Sequence, residues 1–249
     1  MTDRKPEIIE YISSHGKTEV STLAGYLNAS EVTIRKDLDI LSERGILRRE
    51  RGFALLNETD PIMYKMAFRY KDKCRIAETA ARFVQNGETI LIDTGSTCAL
   101  FAEKLAKSGK DLTVITNSVF NIDFLKNCPG IQFVLLGGNY QKKSHATVGP
   151  MTVSCLQNLK ADRIFVGTDG FSLEGGFTAD DLIRSQTLGE MIRKANRTYV
   201  LMDSTKFSKK GTVSFLPFSD VDTVITDSSI PESDQKFLSG SGIEVVIAK

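Results

Sequence analysis

The sequence predicts an α/β protein in two parts: a small N-terminal unit of three short helices and a β-hairpin, then a doubly wound, mostly parallel sheet. Apolar residues recur at helical spacing three times before residue 45, whereas further on short apolar runs alternate with helical patterns. The change falls at the polar, turn-prone residues Asn57, Glu58, Thr59, Asp60 and Pro61. We therefore expect one unit at 1–57, a linker at 58–72 and a second unit at 73–249.

In the first unit, Ile8, Ile9 and Ile12 share one face of a helix that ends at Gly16. A second helix opens at Thr18 or Glu19 and buries Val20, Leu23 and Leu27. Ser30 stands as an N-cap before a third, in which Ile34, Leu38 and Leu41 form the inward stripe and which stops at Gly45. ILRRE and FALL, separated by Arg51 and Gly52, read as a hairpin with a basic first strand.

The second unit opens with a helix near 71–84. Seven strand-like runs follow, TILIDT, LTVIT, IQFVLLGG, RIFVGT, TYVLMD, DTVIT and EVVIA, with CALFAEKLAKS and LIRSQTLGEMIRKA as intervening helices. Polar residues and glycines recur where the runs end: Asp93 to Thr97, Thr116 and Asn117, Gly137 and Gly138, Thr168 to Gly170, Asp203, Thr226 and Asp227. Ligands of open α/β sheets bind outside the carboxyl ends of the strands, so one edge gathers these groups into a single candidate site.

Composition narrows the chemistry. With 41% hydrophobic and 25% charged residues in 249, general disorder is excluded. The formal net charge of +1 is too balanced to coat nucleic acid through bulk charge, so a polyanion must meet a local patch. No stretch approaches a membrane span, and the N-terminus lacks an apolar core, which predicts a soluble, cytoplasmic protein. Cys74, Cys98, Cys128 and Cys155 are far apart and read as reduced core residues. Only His15 and His145 exist, which excludes a multi-histidine metal site and argues against a Ser-His-Asp triad. No cofactor motif is present: the turn DTGST is neither a Walker A sequence nor a dinucleotide fingerprint.

Two constellations remain. The helices and hairpin match a winged helix-turn-helix, whose third helix presents Ser30, Glu31, Thr33, Arg35 and Lys36 in its first turns, with Arg48, Arg49 and Arg51 on the wing. Residues 1–57 hold nine bases and nine acids, so charge alone gives this reading little support. In the second constellation, DTGST leaves free N–H groups at a helix start, and Ser96 and Thr97 add hydroxyls, which suits a phosphate; a plain helix cap explains the motif equally well. Asp93, Asn117, Asp169 and Lys206 supply carboxylate, amide and ammonium groups for a sugar.

The string SEVTIRKDLDILSERGILRR, from Ser30 to Arg49, resembles the DeoR/GlpR family of bacterial transcription regulators. DTGST, TNS, LGG, VGP, VGTDGF, DSTKF and ITD follow in the order of that family's sensor domain, so the resemblance covers nearly the whole chain. It departs at the wing, where ERGFA replaces a histidine-glycine-glycine run. The resemblance implies a sensor fold similar to ribose-5-phosphate isomerase, a phosphorylated sugar or polyol as effector, and a repressor of carbohydrate use that binds double-stranded operator DNA as a homo-oligomer, dimer or tetramer. Its implied effector residues are Asp93, Gly95, Ser96, Thr97, Asn117, Gly138, Asp169 and Lys206, and Lys73 falls where the family often has a base. The competing reading is a sugar-phosphate isomerase with a helical appendage, for which Asp169 or Glu174 is the candidate base. A ligand-free scaffold would leave the polar strand ends unexplained.

Overall fold

A computed structural model describes residues 4–126 and 131–249, which leaves Cys128 outside the described residues. The chain divides into two compact units, Met1–Lys71 and Asp72–Lys249.

In the first unit, α1 (Lys5–His15) buries Ile8, Ile9 and Ile12 and closes at Gly16, whose φ of +74° glycine adopts without a Cβ clash. Of the two residues expected to open the second helix, Glu19 does so as its N-cap, and Thr18 does not. Together they form a two-residue strand, β1 (Thr18–Glu19), by pairing along the edge of residues 53–54, while Thr18 buries its side chain and donates its hydroxyl to Gly16 O at 2.8 Å. Helix α2 (Val20–Tyr26) starts one residue later, and Leu27 is only half-buried. Helix α3 (Glu31–Glu43) is capped by Ser30, and its stripe Ile34, Leu38 and Leu41 is fully buried.

Strands β2 (Leu47–Glu50) and β3 (Phe53–Leu56) form the expected hairpin, with Arg49 opposite Ala54 and β1 added along the far edge of β3. The stretch expected as a linker holds α4 (Pro61–Ala67). Asp60 accepts from the N–H groups of Ile62 and Met63 at 2.8 and 3.0 Å, and Pro61 stands at the first helical position, so a short but well-capped helix replaces open coil.

Helix α5 (Tyr70–Ala81) leads into the second unit. Its central sheet takes β4 (Thr89–Ile92), β5 (Thr113–Thr116), β6 (Gln132–Leu135), β9 (Ala161–Gly167), β12 (Ala195–Leu201), β14 (Thr223–Thr226) and β15 (Glu244–Ile247), the seven runs read from the sequence. Between them lie α6 (Ser96–Ala106), α7 (Val119–Phe124), the β7–β8 hairpin (Asn139–Gln141 and Ala146–Val148), α8 (Pro150–Ser154), the β10–β11 hairpin (Gly170–Ser172 and Gly176–Ala179), α9 (Leu182–Ile192), β13 (Val213–Leu216) and α10 (Glu232–Gly240).

The sheet order is β15-β14-β12-β9-β4-β5-β6, with every pair parallel. The chain runs outward from β4 through β5 to β6, then returns to place β9 on the other side of β4. The topological switch point therefore lies between β4 and β9, where crossovers leave opposite faces and open a crevice. Three antiparallel strands, β10-β11-β13, form a separate small sheet. Ile164, Val166, Val200 and Val224 are fully buried in the core of the unit with Phe177. Cys98 belongs to the buried interior, but Cys74 is half-buried and Cys155 is exposed, which corrects the expectation that the cysteines are core residues.

Candidate functional site

The first candidate surface is α3 with its wing. Ser30 Oγ accepts from the Thr33 N–H at 3.2 Å and lies 2.9 Å from Thr33 Oγ1, so both hydroxyls are engaged in starting the helix. One turn apart on the exposed face, Arg35 and Glu31 pair at 2.6 Å. Arg49 is ion-paired with Asp39, which fastens the wing to α3, and Arg48 lies near enough to Glu50 to help lower its pKa, after Lys17. Lys36 and Arg51 are exposed and have no ion-pair partner among the described residues. Val32, beside them, is 60% exposed. All eight residues named from the sequence thus lie on α3, its cap or the wing.

The second candidate site occupies the carboxyl ends of the parallel strands. Strand β4 ends at Asp93, the chain turns through Gly95 at φ +130°, and α6 begins at Ser96 with no side-chain cap. A Cβ at Gly95 would meet no atom within 4 Å, so the approach to the helix start is open. The first N–H groups of such a helix lack intrahelical partners and carry its positive dipole end.

Asp93 is fully buried, and neither carboxylate oxygen has a hydrogen-bond partner among the described residues. Burial pushes its pKa up to about 6, with the Asp169 charge adding to the rise, while the Arg184 charge opposes it. Asn117 donates its amide to Thr147 O at 3.0 Å, and Asn121 donates to Asp93 O at 3.4 Å. Both amide oxygens are buried without a partner, and because the nitrogens are committed, the unmet atoms are acceptors. Thr94 Oγ1 donates to Ser144 O at 2.8 Å, which brings the β7–β8 hairpin to this edge.

Asp169 follows β9 and accepts from Arg184 Nη2 at 3.0 Å and from the Asp180 N–H at 3.4 Å. Arg184 was not among the residues read from the sequence. Its signal was faint: a lone base three positions after the N-cap Asp181, in a segment whose apolar residues Leu182 and Ile183 are exposed.

Lys206 ends a short 3-10 turn (Ser204–Lys206) after β12, capped by Asp203, and is half-buried. Asp203 accepts from the Thr205 N–H at 3.1 Å and Asp227 from the Ser204 N–H at 2.7 Å, so both carboxylates hold the turn that carries Lys206. Gly138 has a packing reason to be glycine: a Cβ there would stand 1.9 Å from Thr152 Oγ1. Lys73, on α5, is buried rather than spread on a solvated helix face. Parallel strands place Asp93, Gly95, Ser96, Thr97, Asn117, Gly138, Asp169 and Lys206 at one edge, with Asp93, Asn117 and Asp169 nearest the switch point.

A winged helix and a parallel α/β unit with polar strand ends together define a two-part DNA-binding regulator. Residues 4–60 match the DeoR-like helix-turn-helix domain and residues 69–228 the DeoR C terminal sensor domain. The chain belongs to the DeoR family of transcriptional regulators. It is 33% identical to the uncharacterized HTH-type transcriptional regulator FruR of Bacillus subtilis, covering 91% of each chain. The L-fucose operon activator of Haemophilus influenzae is 29% identical over 99% of this chain and 100% of its own, and the lactose phosphotransferase system repressor of Staphylococcus epidermidis is 29% identical over 98% of each. Among solved structures, ribose 5 phosphate isomerase A from Neisseria gonorrhoeae superposes with a TM-score of 0.41 at 21% identity, covering 54% of this chain and 52% of that one.

Proposed function

We propose that this regulator represses a carbohydrate-utilisation operon and leaves its operator when a phosphorylated sugar or sugar alcohol binds at the strand ends. The supporting observation is the switch-point geometry: an open, uncapped α6 N-terminus at Gly95 beside buried Asp93, Asn117 and Asn121 acceptors that have no hydrogen-bond partner among the described residues. The N–H groups of Ser96 and Thr97 suit a phosphate, and the acceptors suit hydroxyl groups. Sugar systems also appear in the names of the fucose and lactose relatives. Double-stranded DNA is met by Glu31, Thr33, Arg35 and Lys36 on α3, with Ser30 at its phosphate-facing start and Arg48, Arg49 and Arg51 on the wing. A domain with no net basic charge gains affinity from paired half-sites, so the protein acts in the cytoplasm as a homo-oligomer, dimer or tetramer.

The isomerase reading finds neither of its nominated bases placed for proton abstraction. Asp169 is committed to Arg184 and the Asp180 N–H, and Glu174 is exposed on the β10–β11 turn. The decisive experiment follows operator binding and sugar-phosphate conversion in the same samples. Release of the operator without turnover supports the proposal, as does loss of release in Gly95→Val with operator binding intact. Turnover of order 1 per second or faster, with no effect on DNA, overturns it. Tightened binding would instead reverse the sign of regulation, which the activator among the relatives makes worth measuring.

A further inference from the structure

We propose that Arg184 takes the effector's anionic group at the α6 N-terminus, exchanging its Asp169 partner for that anion. This rests on the sugar-phosphate reading of the site and names the charge that recognises the phosphate.

Three observations carry it. Arg184 is held at the root, where its backbone N–H donates to Asp181 Oδ1 at 2.7 Å in the first turn of α9, and its side chain is only 12% exposed. Yet the Nη2 bond to Asp169 is the only hydrogen bond of this guanidinium among the described residues. A guanidinium has five N–H donors in a planar fork, so a nearly buried arginine satisfied through one of them is poised for a second acceptor. Asp169 meets it through one oxygen, which leaves the two-pronged geometry unused.

The second observation is position. Strand β9 ends at Gly167, where a Cβ would touch Cys98 Sγ at 3.8 Å and Thr94 O at 3.9 Å. The loop that carries Asp169 therefore begins against the first turn of α6. The charge of Arg184 bears on Asp93, Asp169, Asp181 and Cys98, which come from the β4 end, the β9 end, the α9 cap and α6.

The third is the alternative. Lys206 lies beyond β12, two strands from β4 in the sheet order, on a turn fixed by Asp203 and Asp227. The Arg184 charge reaches Asp93 at the β4 end and Cys98 in the first turn of α6, beside the α6 N–H groups that have no intrahelical partner. An anion between them gains a helix N-terminus and a fork, whereas Asp169 offers only one charge to the same arginine. The exchange releases Asp169 and, with it, the Asp180 N–H that it holds.

The test measures inorganic phosphate binding to the full-length protein by calorimetry at pH 7.5. Wild type should bind, R184Q should bind about tenfold more weakly, and D169N, which frees the guanidinium, should bind more tightly by about threefold or more. The double variant D169N/R184Q should show no tightening over R184Q, and K206Q should stay within about twofold of wild type. Tightening by D169N that persists without Arg184, or unchanged phosphate affinity in R184Q, overturns the proposal while leaving the sugar-phosphate reading standing. If R184Q does not fold, R184K keeps the charge without the fork and should lose the D169N gain; retention of that gain counts against the proposal. No binding by wild type overturns both readings.

Discussion

Gly138 and Thr152 are packed so closely that a β-carbon on the glycine would overlap the threonine hydroxyl oxygen. Gly138 also sits at φ +146°, outside the range that L side chains favour. We expect Gly138→Ala to destabilise the protein by about 2–3 kcal/mol in urea unfolding, through overpacking and backbone strain. Because Thr152 Oγ1 is buried without a partner, Thr152→Ala in the same chain should recover part of this loss. A G138A protein with unchanged stability and abolished effector response would instead make Gly138 a ligand residue.

Arg35→Ala should leave folding intact, since its exposed pair with Glu31 is worth only about 0.3–0.5 kcal/mol. Operator affinity should fall by about 1–3 kcal/mol, with discrimination relaxed at one base pair. Glu31→Gln frees the guanidinium and should widen the set of accepted bases. Binding-site selection with each variant measures both effects, and identical selected sites for all three proteins would remove Arg35 from base reading.

Val32 is exposed beside Lys36 while Ser30, Thr33, Glu31 and Arg35 are engaged with one another. An aliphatic group in that position is suited to a thymine methyl, the apolar group that the major groove offers. Replacing thymines of the selected operator by deoxyuridine, one at a time, should weaken wild type at one position and leave Val32→Ala indifferent there. Equal losses in both proteins would show that another residue senses the methyl.

Asp93 makes stability depend on pH. Its native pKa of about 6 lies above the ordinary 3.8, so the native state holds the proton more tightly. This contribution is fully present below the unfolded pKa and is lost as pH rises from about 4 through 6, by about 3 kcal/mol. The wild-type-minus-Asp93→Asn difference in unfolding free energy should show that slope and flatten above pH 7. Protonation also removes a negative charge facing Arg184, Asp169 and Cys98, so sulfate, whose own charge is constant here, should bind more tightly below pH 6. A flat difference curve would mean that Asp93 is not shifted.

What the sequence made legible follows the reach of each pattern. The α3 stripe and the seven central strands are local: each is a run of apolar residues at one period, and the structure has them all. The two-residue β1 exists only because β3 offers it an edge, and β7, β10 and β11 have three or four residues each, too few for alternation to register. α4 was hidden by its cap, since Asp60 and Pro61 read as a turn from sequence and as a helix start in the structure. In the site, DTGST announced itself as a strand-to-helix turn. Arg184 did not, because its meaning comes from Asp169, which only the β9 crossover places within reach. The wing arginines were legible as charges, but the engagement of Arg49 by Asp39 was not.

Strand order also has a temporal side. β4, β5 and β6 follow one another along the chain and pair as neighbours, so this half of the sheet has short loops to close. β9 must come in beside β4, pairing Ile164 with Leu91 across 73 positions of sequence. On a ribosome the Gly95 turn at the start of α6 is therefore complete well before the strand that brings Asp169, and earlier still than the helix that brings Arg184. A chain halted in that interval has one side of the switch point and not the other, so the last-synthesised half of the sheet decides when the crevice exists at all.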